Sequence, residues 1–217
     1  GTVDIEYVLE EKPSDQIELS GGWGGGRIVG SLGVSFNNFS IRNTFKKGAW
    51  RPLPAGDGQR LSLRAQSTGI GFQQYSLSFT EPWLGGRKPN SLSVSLSHVN
   101  QSNSPGDFSQ SFKSYGGAVG LGRRLKFPDD YFTLYNEMSY QYYVIDNYTV
   151  LTDFSNGFAN NLSFKHVLSR SSAGPSPIYP TTGSINTFTL KHTLPYSWFM
   201  FSDNDYNTLS VQDKNLF

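Results

Sequence analysis

The sequence predicts an all-β protein whose antiparallel strands build part of a transmembrane β-barrel, and three observations predict it. Apolar and polar residues alternate in many separate runs along 217 residues. Charged residues make up 16% and aromatic residues 15% of the chain, a low charge load beside the roughly 25% of soluble domains. Ser, Gly, Asn and Thr take the place of the missing charges. Such a composition suits a wall with one face toward lipid and the other toward water.

Composition also excludes classes. No apolar run reaches the roughly 18 residues that a membrane helix needs. A net charge of +1 argues against nucleic acid, which requires a clustered basic face. The chain has no Cys, so disulfides and thiolate chemistry are absent. A secretory signal is not recognisable, so the expectation is a mature chain or a fragment of one.

Val3, Ile5, Tyr7 and Leu9 alternate with Asp4, Glu6, Val8 and Glu10, and Pro13 then interrupts the pattern. This strand is charged, unlike those that follow. It reads as the last strand of a separate soluble domain over residues 1–13, with the barrel segment over 14–217. The second run sets Ile17, Leu19, Gly21 and Trp23 against Gln16, Glu18, Ser20 and Gly22. Ile28, Gly30, Leu32, Val34 and Phe36 form the third. Leu61, Leu63 and Ala65, then Tyr75, Leu77 and Phe79, continue the pattern. Its clearest instance is Leu92, Val94 and Leu96 against Ser91, Ser93, Ser95 and Ser97. Successive side chains on a strand point to opposite faces, so every run carries one apolar and one polar face. Four less regular segments follow at Phe108–Lys126, Phe132–Ile145, Gly157–Ser169 and Ser184–Leu194. From Gln16 onward the total is about nine strands, with no convincing helical period.

The connectors differ in kind. Gly24-Gly25-Gly26 and Gly69-Ile70-Gly71 read as tight turns, and Gln101–Asp107 and Asp146–Asn156 as polar loops. The others carry Pro and aromatics: Glu81–Gly86, Phe127–Asp130 and Pro177–Gly183. Proline lacks the N–H that a ladder requires, so these sites end strands. Asn37–Asp57 reads as an insertion. Its Lys46, Lys47 and Arg51 could meet a partner protein or phospholipid headgroups, but such a run reads first as a solvated loop.

A soluble β-sandwich or lipocalin-like barrel would alternate too. Against it stand the plain aliphatic face, the Ser/Gly-rich opposite face, and aromatics near strand ends. Those aromatics are Trp23, Phe36, Phe79, Trp83, Phe127, Tyr131, Phe132 and Trp198. Side chains of this type at headgroup level form girdles. A spanning sheet must close, because an unpaired backbone group in lipid costs several kcal/mol. Bacterial single-chain barrels close with even strand numbers. The expectation is therefore a piece of a larger barrel.

Chemistry-bearing motifs are weak. Gly21-Gly22-Trp23-Gly24-Gly25-Gly26-Arg27 lacks the Lys-Ser/Thr and the helix of a phosphate loop and reads as a hairpin. His98, His166 and His192 lie on separate strands without ligand spacing. No nucleophile motif stands out, and Asp129-Asp130 reads as a solvated turn. No catalytic residue, metal site or cofactor is expected.

The residues do resemble a family. Val3–Glu11 followed by Ile17–Gly24 resembles the end of the last POTRA domain of BamA-type outer-membrane assembly factors running into their first barrel strand. Phe79-Thr80-Glu81-Pro82-Trp83-Leu84 resembles the family's periplasmic turn after strand four. Pro177–Ser184 resembles the turn before strand nine, and Gly58-Gln59-Arg60-Leu61 the start of strand three. The Ser/Asn-rich style and the insertion are similar to Bacteroidota members. The family's Arg-Gly-Phe loop is expected beyond Phe217. This resemblance implies a barrel of about 16 strands, of which these are the first nine, in the bacterial outer membrane. It implies a non-enzymatic insertase for nascent outer-membrane proteins. Accessory assembly-complex subunits, membrane lipid and lipopolysaccharide would be its partners. Partner-secretion transporters of the same fold, a small barrel or porin-like channel, and a barrel lipase or protease stay open.

In the family the first and last strands meet at a weak seam. Candidate client-pairing residues are therefore Gln16, Ile17, Glu18, Leu19, Ser20, Gly21, Gly22, Trp23 and Gly24. Each glycine costs about 0.5–1 kcal/mol in an ordered element, and a net hydrogen bond contributes about 1 kcal/mol. Several glycines thus offset several ladder bonds. The competing reading is that they serve a tight hairpin and close packing.

Overall fold

The computed structural model describes residues 15–24, 27–50, 53–69, 71–86, 88–104, 107–148, 156–173 and 182–193. The charged strand near the N-terminus, the boundary at Pro13, Trp198 and Pro177–Thr181 lie outside them. The described residues form nine strands: β1 (Gln16–Gly24), β2 (Arg27–Phe39), β3 (Gln59–Thr68), β4 (Phe72–Glu81), β5 (Ser91–Ser104), β6 (Asp107–Arg124), β7 (Phe132–Asp146), β8 (Gly157–Ser171) and β9 (Ile185–Thr193). They make one antiparallel sheet in sequence order. Each run from Gln16 onward that was read from the alternation is a strand. Among the described residues the sheet is open, with β1 at one margin and β9 at the other.

Register sorts the faces. Ile17 lies opposite Val34, and the row continues through Leu63, Leu77, Leu96, Gly117, Tyr140 and Leu162. The neighbouring row on the other face runs Gln16, Ser35, Ser62, Ser78, Ser95, Ala118, Ser139 and Ser163. Ser35 and Ser62 hydroxyls lie 2.9 Å apart, and those of Ser139 and Ser163 2.7 Å. A one-residue slip would move every aliphatic side chain to the wet face, so the pattern itself holds the register.

Among the described residues no second layer covers the apolar face. Leu19 is 81% exposed, Leu96 55% and Phe188 66%. Exposed apolar patches of this extent mark a surface that meets lipid or protein, whereas a sandwich would bury them against a second sheet. Among the described residues buried apolar side chains are few, and Ile145, Tyr148 and Ala159 lie near the β7–β8 loop. There Tyr148 folds back onto Phe112, with ring centroids 6.0 Å apart.

Three connector expectations change. Gln101–Ser104 and Asp107 are strand rather than loop, since the β5–β6 ladder continues through Gln101–Phe112, Ser102–Ser111 and Ser104–Asp107. Backbone pairing does not require apolar side chains, so a hairpin prolongs its ladder with polar ones. Asn37 and Phe39 likewise belong to β2, across a register irregularity between Phe36 and Phe39, and the insertion shortens to residues 40–58. It holds a 3-10 turn, Arg42–Phe45, too short to show a period. Asp129 is not simply solvated: Arg170 of β8 binds it at 2.9 Å while lying 5.7 Å from the Tyr131 ring centre. That contact ties the β6–β7 turn to the next hairpin.

Gly116, Gly120 and Gly122 of β6, on the polar face, have a steric duty, and Gly120 is the most confined. A Cβ at Gly120 would overlap the Tyr135 and Ser93 hydroxyls, which bond each other at 2.9 Å while Tyr135 donates to Glu137 at 2.8 Å. Gly120→Ala should displace both hydroxyls and cost about 1–3 kcal/mol as an overpacked site. Denaturant unfolding in detergent micelles measures this loss, with Gly117→Ala as the control.

Candidate functional site: the β1 margin

Among the described residues the backbone of β1 pairs with one strand, β2, from Gln16–Ser35 to Gly24–Arg27. Its other backbone edge has no strand beside it among the described residues. An open edge of this kind is a template for another strand. All nine residues proposed from the sequence, Gln16 to Gly24, lie on this one strand. Ile17 is 76% and Trp23 75% exposed, in line with the apolar face of the wall.

Among the described residues, side-chain ties hold β1 to the sheet on the polar face. Glu18 reaches over Gly33 to Arg64 of β3, with 2.9 Å between the charged atoms. Gly33 lies beneath this bridge, where a Cβ would stand in ordinary contact, 3.4 Å from the Glu18 carboxylate. Both side chains are more than 60% exposed, so the pair contributes at most about 1 kcal/mol. Ser20 and Ser31 hydroxyls lie 2.6 Å apart. Just before the strand, the Asp15 carboxylate accepts the Asn37 N–H at 3.2 Å.

Two glycines of β1, Gly21 and Gly22, are not demanded by packing against the described residues. A methyl group placed on Gly22 would meet nothing within 4 Å, and one on Gly21 would come no nearer than 3.9 Å to any atom, the Val29 carbonyl oxygen. Neither has a positive φ. They face Gly30 and Val29 across the ladder, which leaves a strip of β1 and β2 with little side-chain cover. Close packing is therefore not what keeps glycine at 21 and 22. The turn residues Gly25 and Gly26 lie outside the described residues.

Histidines come together in a way spacing did not reveal. On the apolar face His166 and His192 stack with centroids 5.4 Å apart, and His166 Nδ1 lies 2.7 Å from Asn136 Oδ1. His98 stacks on Tyr115 at 4.5 Å. No group of three His, Cys, Asp or Glu side chains that could hold a metal gathers among the described residues. Sequence spacing could not find the pair, because it follows from the β7–β8–β9 register.

No curated protein matches the chain. Residues 55–215 match the Omp85 superfamily domain, a span that takes in β3 to β9 and leaves β1 and β2 just ahead of it. Omp85 members are outer-membrane proteins of Gram-negative bacteria, and a single-layer sheet with an uncovered aliphatic face and a serine-lined opposite face is the wall such a membrane protein needs. The chain belongs to the Omp85 superfamily.

Proposed function

We propose that this chain is the opening half of the barrel of a BamA-type assembly factor, which folds and inserts other β-barrel proteins into the outer membrane. The observation that carries this reading is the β1 margin: among the described residues a strand paired on one side only, with glycines at 21 and 22 that no described neighbour requires. Its free backbone edge receives the terminal strand of a client. Main-chain pairing supplies affinity and tolerates varied client side chains, as a general insertase requires. The role is non-enzymatic, and its partners are nascent outer-membrane proteins, with accessory subunits and lipid around the barrel.

Cysteine crosslinking tests it. Ser20→Cys or Gly22→Cys should form a disulfide with a cysteine in the terminal strand of an arrested client. Cysteine at Ser78, within β4, should not. Functional protein that crosslinks nowhere along Gln16–Gly24, while positive controls succeed, overturns the pairing role. A partner-secretion transporter would instead crosslink to its translocating substrate at Ser78 as well, in mid-sheet on the polar face.

A further inference from the structure

We propose that the insertion between β2 and β3 is a rigid foot that seats in the anionic phospholipid headgroups at the rim of the barrel wall. Its base is fastened to the lipid side of the sheet. Phe39 meets Phe79, a member of the apolar face, edge-on with centroids 6.3 Å apart. Gln59 and Glu81 share that face by strand parity. Gln59 donates to Glu81 at 2.7 Å and accepts the Ile41 N–H at 2.7 Å. The insertion thus leans outward over the wall.

Internal bonds make it stiff. The buried Ser40 hydroxyl donates to Asp57 at 2.6 Å, and its N–H to the Pro54 carbonyl at 2.9 Å. Asn43 donates to the Ala55 carbonyl at 2.9 Å and the Trp50 indole to the Thr44 carbonyl at 3.1 Å. This frame holds large apolar groups in the open: Phe45 is 90%, Trp50 55% and Ile41 50% exposed. Around them Arg42, Lys46 and Lys47 are exposed, and no Asp or Glu occurs from Ile41 to Gly56. In a chain of net charge +1, that concentration of cations is local. Exposed aromatics beside Lys and Arg, continuous with a lipid-facing surface, match the headgroup layer: rings enter the interface and cations meet phosphates. Trp83 and Tyr131, both more than half exposed, lie on connectors at the same end of the sheet.

This chain has no Cys, so in the full-length protein, with any Cys outside these residues replaced by Ser, a nitroxide on Phe45→Cys reports depth. The protein is reconstituted into phosphatidylcholine vesicles with and without phosphatidylglycerol, and collisions with oxygen and with a water-soluble nickel chelate are compared. A second label at Leu96→Cys reports whether the wall itself is embedded. In anionic vesicles the Phe45 label should be shielded from nickel. Arg42→Gln, Lys46→Gln and Lys47→Gln together should lower the ratio of seated to free foot about a hundredfold, at about fivefold for each cation lost. A Phe45 label equally open to nickel in neutral and anionic vesicles, with the Leu96 label immersed, overturns the proposal. So does a label that becomes shielded only when soluble proteins are added, which would assign the foot to a protein partner.

Discussion

Leu96→Arg should destabilise the embedded sheet by about 2–4 kcal/mol, the cost of a cation on the lipid face near the bilayer midplane, whereas Ser95→Arg should change it by less than about 1 kcal/mol. The two positions are consecutive on β5, and the strand turns them to opposite faces. Leu96 lies between Leu77 and Gly117 in the aliphatic row, midway along the apolar positions of the sheet. Ser95 lies between Ser78 and Ala118 on the polar side. A cation at 96 has hydrocarbon in reach and no acid in its row, while one at 95 meets water. Folding into vesicles, followed by denaturant titration, measures both. Equal losses at the two positions would mean that the faces are wrongly assigned. The comparison asks nothing about client insertion and tests the membrane wall alone.

Gly21→Val combined with Gly22→Val should slow client insertion about fivefold or more without disturbing the fold. Both substitutions fit, since their Cβ atoms meet no side chain. Valine favours the extended backbone over glycine, and β propensity spans about 1 kcal/mol per site. Two such sites strengthen any ladder on β1 by about 1–2 kcal/mol in sum, which is a factor of about 5 to 30 in the opening equilibrium. Every exchange of partner on this margin must first break a ladder, so a firmer strand exchanges more slowly. Valine at Ser78, an exposed position in mid-sheet, is the control and should leave the rate unchanged. Insertion rates of a fluorescent client into proteoliposomes supply the measurement. An unchanged rate in the double variant would remove β1 glycine content from the mechanism.

The strand plan was legible in the amino-acid order because a period of two is a local signal. Ser91-Leu92-Ser93-Val94-Ser95-Leu96-Ser97 states its two faces within seven residues, and the same is true of Ile17 to Trp23. Strand ends were less legible where polar residues extend a ladder, as at Gln101–Ser104, since backbone pairing leaves no mark in side-chain chemistry. The candidate site was legible only through the resemblance, because a glycine-rich strand looks alike at a margin and in a hairpin.

Alternation by itself determined the all-β class, the strands and their two faces, since each depends on neighbours in the chain. Only the tertiary structure decided which distant residues meet. Glu18 with Arg64, Asp129 with Arg170, His166 with His192, and the anchoring of the insertion on Gln59 and Glu81 all arise across strands. The physical reason is that such contacts depend on which strands lie side by side and at what height, and no single stretch of sequence carries that information.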